Sequence, residues 1–281
     1  MGIEARSLKG IVDYTKDFSN RIKRNGIWYR GVVDANFDLV PSLQRALPRK
    51  TYHHQMLEIE KKMFDIFRST QELQDKEFTD WEILYLMQHS GVKTRFLDWS
   101  FDFKVSLFFA TYNWNKQQNA RLWLLDPHLL NEVFYEEYST VTPKGQKSYF
   151  DFLDSYSVSN DIYAFDGYQL NYDDFNKRIK AQSGVFTLHL ARNALNSNVY
   201  ALNNILHIEI NNRRSKIANP FNHLRDDFPD AEQVLDYIDI HPDAEVEIKD
   251  YLLKKNVTIK TLFPDLPGVV DYINSIFPDF N

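Results

Sequence analysis

Segments whose apolar residues recur at helical spacing alternate along this chain with short β-branched and aromatic runs, and that mixture is the strongest constraint on its fold. Ile11, Tyr14, Phe18 and Ile22 stand three and four apart and predict a helix over 7–24. Asn25-Gly26 then predicts a turn, and the run from Ile27 to Val33 a strand. Met56, Ile59, Met63 and Phe67 predict a helix over 52–67. Thr79-Asp80-Trp81-Glu82 has the form of a capping box, opening a helix that should stop at Gly91. A buried helix is expected over 101–113 and strands over 121–125, 184–190 and 205–210. No clear period runs through 133–175.

Beyond that, Pro220, Pro229, Pro242, Pro264 and Pro267 divide the chain into short helices such as 244–255 and 269–277. His241-Pro242-Asp243 reads as a helix start. No composition shift marks a boundary and no repeat appears. The expectation is therefore one α+β domain over 1–281, with a helical N-terminal segment at about 1–25 and a short-helix region at about 211–281.

Composition excludes several function classes. With 21 Phe, 16 Tyr and 5 Trp against 9 Gly and 10 Pro, the chain has ample apolar bulk for a core. It has no cysteine, which rules out a disulfide scaffold, a thiol nucleophile and cysteine-ligated metal. Its eight histidines show no tight ligand spacing, so no metal is expected. A net charge of −6 argues against a protein that coats duplex nucleic acid. The clusters Arg21, Lys23, Arg24 and Arg213, Arg214, Lys216 read as solvated faces. No apolar run is long enough to cross a bilayer, and Met1 to Lys9 lacks an apolar segment, so the expectation is a cytoplasmic protein without a membrane partner. Gly-x-Ser-x-Gly, Walker and His-Glu-x-x-His patterns are absent.

Three segments could carry chemistry. In Trp28-Tyr29-Arg30-Gly31 an arginine sits within an apolar strand, where desolvation is costly unless an anion or an internal acid meets it. Its planar fork suits phosphate or carboxylate, and the following glycine would let a ligand approach the backbone. The run from Met87 to Ser100 gathers His89, Thr94, Arg95 and Asp98 between apolar helices. Its structural alternative has His89 capping the helix, Arg95 paired with Asp98 and Trp99 in the core. Gln182, just before the strand from Gly184, could stand at the rim of a cleft, and a turn before a strand explains the same residues. Glu209, with His207 on the expected 205–210 strand, offers one more carboxylate.

Together, Tyr29-Arg30-Gly31, Val40-Pro41-Ser42-Leu43 with Arg45, the run Gln88–Trp99, Ala181–Phe186 and Thr261–Gly268 resemble the FRG-domain family, whose name comes from a Phe/Tyr-Arg-Gly motif. That family is similar in fold to ADP-ribosyltransferases, whose first motif is also an aromatic-Arg-Gly strand contacting NAD. The resemblance implies a mixed or antiparallel sheet core with surrounding helices, and NAD as substrate. It also implies transfer of ADP-ribose to a macromolecular acceptor, protein or nucleic acid, as in a toxin or antiphage effector with an antitoxin or defence-system partner. By the same resemblance Arg30, His89, Asp98 and Gln182 would be catalytic, and Tyr29, Arg30, Gly31, His89, Thr94 and Arg95 would contact NAD. The chain departs from the transferase pattern in lacking a Ser-Thr-Ser strand and a Glu-x-Glu or Gln-x-Glu turn, and Ser183 stands where a second Gln is usual. Those departures favour the alternative of an inactive nucleotide-binding or sensing module.

Overall fold

A seven-stranded sheet organises the chain, in the order β1-β7-β4-β2-β3-β6-β5. The computed structural model describes residues 2–22, 26–48, 51–74, 77–135, 139–143, 146–155, 162–166, 177–190, 201–217 and 229–264. In chain order the elements are β1 Ile3–Ala5, α1 Leu8–Arg21, β2 Trp28–Val32, α2 Ser42–Ala46, α3 His53–Arg68, α4 Gln71–Gln74, α5 Asp80–His89, β3 Phe96–Ser100, α6 Phe103–Thr111 and β4 Ala120–Leu125. There follow α7 Pro127–Tyr135, α8 Tyr149–Ser155, β5 Ile162–Phe165, α9 Lys177–Ala181, β6 Gly184–His189, α10 Leu202–Ile217, α11 Ala231–Val234 and β7 Leu235–Ile240. A 3-10 turn at Pro242–Ala244, α12 Glu245–Lys254 and α13 Ile259–Leu262 complete the set. Among the described strands β1 and β7 run parallel and the other neighbours antiparallel, so the fold is mixed α/β on a mixed sheet.

Both faces of the sheet are covered. On one, Leu122, Leu124, Ile238 and Ile240 meet Ile11 and Phe18 of α1, Leu107 of α6 and Ile248 of α12. On the other, Trp28, Leu97, Trp99, Trp123 and Val185 pack with Leu130 of α7 and Leu206 of α10. An aromatic cluster joins α5, α8, β3, β5 and β6, with Tyr85, Phe96 and Phe186 stacked or tilted at 4.9–5.1 Å.

Local signals place the helices much as the sequence predicts. Ser7 caps α1 by accepting from Gly10 N at 3.2 Å, and the Thr79–Glu82 capping box opens α5. Gly91, at φ 84°, ends that helix. Its N–H donates to the Gln88 carbonyl and that of Val92 to the Met87 carbonyl, which is a Schellman motif. His241 opens the turn at Pro242 by accepting from Asp243 N.

Two expectations fail. Residues 205–210 lie inside α10, where Leu202, Ile205, Leu206 and Ile210 form one buried helical face. Packing at a spacing of three and four there overrides the strand preference of isoleucine, and His207 and Glu209 therefore do not share a strand face. The N-terminal and C-terminal regions are also not purely helical: β1 precedes α1, and β7 pairs with both β1 and β4. The expected helix at 269–277 lies outside the described residues, as do Lys23, Arg24 and the side chains of Arg213, Arg214 and Lys216.

Gly31 fixes how α6 lies on β2. A Cβ there would stand 1.8 Å from the Ser106 carbonyl oxygen and 2.5 Å from Ala110 N, so the helix backbone occupies the space a side chain needs. The close approach expected for a ligand is made by α6. Since backbone cannot yield as a flexible side chain does, Gly31→Ala should lower stability by about 1–3 kcal/mol, read as a lower urea midpoint at unchanged m-value.

Candidate functional site

A cleft of about 430 Å³ opens on the face of β2, β3 and β6 that looks toward α5 and α6. Its floor is set by strand alternation: Tyr29 and Gly31 from β2, Asp98 and Ser100 from β3, Gly184 and Phe186 from β6. Ser100 pairs with both Tyr29 and Gly184, so small side chains lie adjacent across the middle of the floor and leave its depth. Tyr85, Gln88 and His89, one face of α5, form one wall; Ser106 and Phe109 of α6, Arg178 and Ile179 of α9, Gln182 and Phe263 form the others.

Arg30 also lines the cleft, at the place where the sheet parts, although strand alternation starts its side chain on the face of Trp28 and Val32, opposite Tyr29 and Gly31. β2 and β3 pair only at Tyr29↔Ser100, whereas β2 pairs with β4 along its whole length. Where the ladder ends, Arg30 Nη1 donates to the Asp98 carbonyl oxygen at 2.6 Å, supplying a partner in place of a strand N–H. The Asp98 carboxylate is farther away, at 4.0 Å, and the Arg30 side chain keeps 20% exposure. Burial pulls the guanidinium below its ordinary pKa, Asp98 raises it again and the Arg45 cation lowers it.

Asp98 is held from the other side. Phe96 N donates to Thr94 Oγ1, the Thr94 hydroxyl donates to Gln88 Oε1, and Gln88 Nε2 donates to Asp98 Oδ1 at 2.8 Å. Because a carboxylate only accepts, this chain fixes which way the Gln88 amide points.

Of the residues proposed from sequence, Tyr29, Arg30, Gly31, His89, Asp98 and Gln182 line the cleft. Thr94 and Arg95 do not. Thr94 is fully buried and acts through Gln88. Arg95 is fully buried and paired with Glu60 at 2.6 Å, not with Asp98; it also donates to the Leu190 carbonyl, while Tyr149 donates to the second Glu60 oxygen at 2.5 Å. That pair ties α3 and α8 to the start of β3. Gln182 Nε2 donates to the Leu262 carbonyl at 3.0 Å, anchoring α13 at the rim, and Trp99 is core, as its structural reading had it.

Sequence reasoning missed Tyr85, Gln88, Arg178, Phe109 and Phe263 as wall residues. Tyr85, Gln88 and His89 could have been found together from their spacing on α5; Phe263 could not, since it comes from a distant segment. The Tyr85 hydroxyl is buried and has no hydrogen-bond partner among the described residues. Arg178 stands over the Phe263 ring at 5.1 Å.

These features define a mixed-sheet α/β protein with a cleft beside its central strand. Residues 25–119 match the family model of the FRG domain. The match carries β2, α5, β3 and α6, hence Arg30, Gln88, His89 and Asp98. No curated protein and no solved structure matches the chain. Among the described residues no helix is long and apolar enough to cross a membrane, and no cluster of three or more His, Asp or Glu could hold a metal ion.

Two checks follow. Glu60→Ala leaves the Arg95 cation buried without its acid and should cost about 3–5 kcal/mol, measured by chemical denaturation. The second concerns pH. His189 is buried behind the cleft, with Nε2 3.0 Å from Thr187 Oγ1; burial and the Arg30 cation hold its pKa at about 3, and burial and the Arg95 cation hold that of His53 at about 4. The unfolded chain takes up these protons near pH 6.5, so between there and the folded values it binds more protons than the native state. Stability contributed by the neutral rings is complete above about pH 7 and declines as the pH falls through that window. In stability curves against pH, His189→Gln should flatten part of this decline.

Proposed function

We propose that the cleft binds NAD and that the protein transfers ADP-ribose from it to a macromolecular acceptor, protein or nucleic acid. The observation that carries this reading is Arg30: a cation in the cleft wall whose short hydrogen bond goes to a neutral carbonyl, with its nearest carboxylate at 4.0 Å. A guanidinium so placed retains donors and charge for a diphosphate. The likeness of Tyr29-Arg30-Gly31 to the aromatic-Arg-Gly strand of ADP-ribosyltransferases supports the same assignment, as does the mixed sheet on which it lies.

The surroundings suit such a ligand. The cleft volume falls within the range of small-molecule sites. Its aromatic walls suit planar rings, and the Tyr85 hydroxyl, without a partner among the described residues, offers a donor. In this reading Arg30 grips the diphosphate, and His89 bonds a ribose hydroxyl. NAD would supply an ADP-ribosyl group whose bond to nicotinamide breaks with the electron pair leaving on nicotinamide. Asp98, oriented by Gln88, takes the proton of the acceptor heteroatom as that atom bonds to the ribose carbon.

A second reading, a binding or sensing module without turnover, is favoured by one observation. Asp98 is the one carboxylate among the described residues that line the cleft, and Gln182 is already engaged with the Leu262 carbonyl.

Calorimetric titration with NAD and assay with labelled NAD and a cell extract as acceptor separate the readings. Arg30→Ala should weaken NAD binding at least about tenfold, the loss of one charge-assisted hydrogen bond. Asp98→Asn should keep binding and abolish label transfer if the protein is an enzyme. Wild type that binds NAD and never transfers label is the module. Wild type that does not bind NAD contradicts both.

A further inference from the structure

Like Arg30, Phe37 lines the cleft; it is 53% exposed and belongs to none of the apolar clusters formed by the described residues. A single exposed aromatic needs no explanation on an ordinary surface. This one is held out by a loop fastened on both sides. Ala35 N donates to the Asn119 carbonyl at 2.8 Å, Asn36 N to Asp34 Oδ1 at 2.8 Å, and Phe37 N to the Asp34 carbonyl at 3.1 Å. Two residues on, Leu39 is 1% exposed in the core and its carbonyl accepts from Leu202 N at 3.1 Å. The backbone at Phe37 is thus pinned while its ring stays in solvent at the edge of a cavity that also holds a cation.

We infer that Phe37 is the stacking platform for the base of the nucleotide whose phosphate Arg30 holds, an inference that rests on the nucleotide reading of the cleft and narrows its ligand class. A pinned aromatic side chain has few rotatable bonds to order on binding, and a base has a π-face that any aromatic ring can meet. Removing the half-exposed ring from water against a planar base also buries apolar area on both partners. A sugar phosphate without a base would engage Arg30 and gain nothing from Phe37. The site therefore selects a phosphate carried on a heteroaromatic nucleoside over the bare sugar phosphate.

The probes are AMP and ribose 5-phosphate, which differ by the base, titrated calorimetrically against wild type, Phe37→Ala, Phe37→Tyr and Arg30→Ala. Phe37 is exposed, so its variants should keep the wild-type circular dichroism spectrum and melting temperature. Phe37→Ala should weaken AMP about tenfold, the size of a base–aromatic stack, and leave ribose 5-phosphate unchanged. Phe37→Tyr should restore AMP binding, and Arg30→Ala should weaken both ligands. If Phe37→Ala binds AMP as tightly as wild type while Arg30→Ala weakens it, the platform is wrong and the nucleotide reading survives. Equal losses for both ligands in Phe37→Ala would also overturn the platform, because the base would not be the contact. Wild type that binds neither ligand overturns both.

Discussion

The site exists because two central strands stop pairing after one residue. Beyond Tyr29↔Ser100, β2 and β3 separate, and a backbone carbonyl in the middle of a sheet is left needing a donor. Arg30 provides it from the neighbouring strand. The same side chain that closes the gap in hydrogen bonding also lines the cleft, so the defect in the sheet and the cation of the site are one feature. An apolar residue at position 30 would leave the Asp98 carbonyl without that bond as well as remove the cation.

The rest of the molecule keeps this defect from collapsing. α6 is pressed onto β2 through Gly31, which sets the distance between floor and wall. A Schellman motif stops α5 so that Gln88 and His89 end at the cleft. The buried Arg95–Glu60 pair with Tyr149 fastens the start of β3 to α3 and α8, fixing the strand that carries Asp98. Gln182 joins α13 to the turn before β6, and the Ser183 backbone at φ 48° shapes that turn. Residues far apart in sequence thus brace one opening, with most of the charged chemistry on the segment matched by the FRG model and the far wall supplied from beyond it.

Much of the local structure was legible from the chain. Helical spacing at Ile11, Tyr14, Phe18 and Ile22, the capping box at Thr79 and the stop at Gly91 report short-range physics, which sequence encodes directly. The stretch at 205–210 misled because isoleucine favours strands in isolation, while packing against α7 and the sheet decides the outcome. β1 has three residues, and its identity as a strand depends on pairing with β7 across most of the length of the chain. In the site, Arg30 and Asp98 were legible as polar residues out of place in apolar surroundings. Thr94 and Arg95 were equally out of place and proved to be supports, since a buried polar group announces that it has a partner without saying which. Phe263 became a wall residue only through tertiary packing.

What distinguishes this cleft from an ordinary gap between helices is a cation that is buried enough to lose hydration and yet not matched by an acid in contact. Such a group gains from an anionic ligand more than an exposed arginine does, because less competing water surrounds it. The direct measurement is a crystal structure of the protein soaked with NAD. The account predicts the diphosphate on the Arg30 guanidinium, with the dinucleotide lying along the β2, β3 and β6 floor. A cleft without ligand at saturating NAD, or NAD bound elsewhere with Arg30 drawn onto the Asp98 carboxylate, would contradict it.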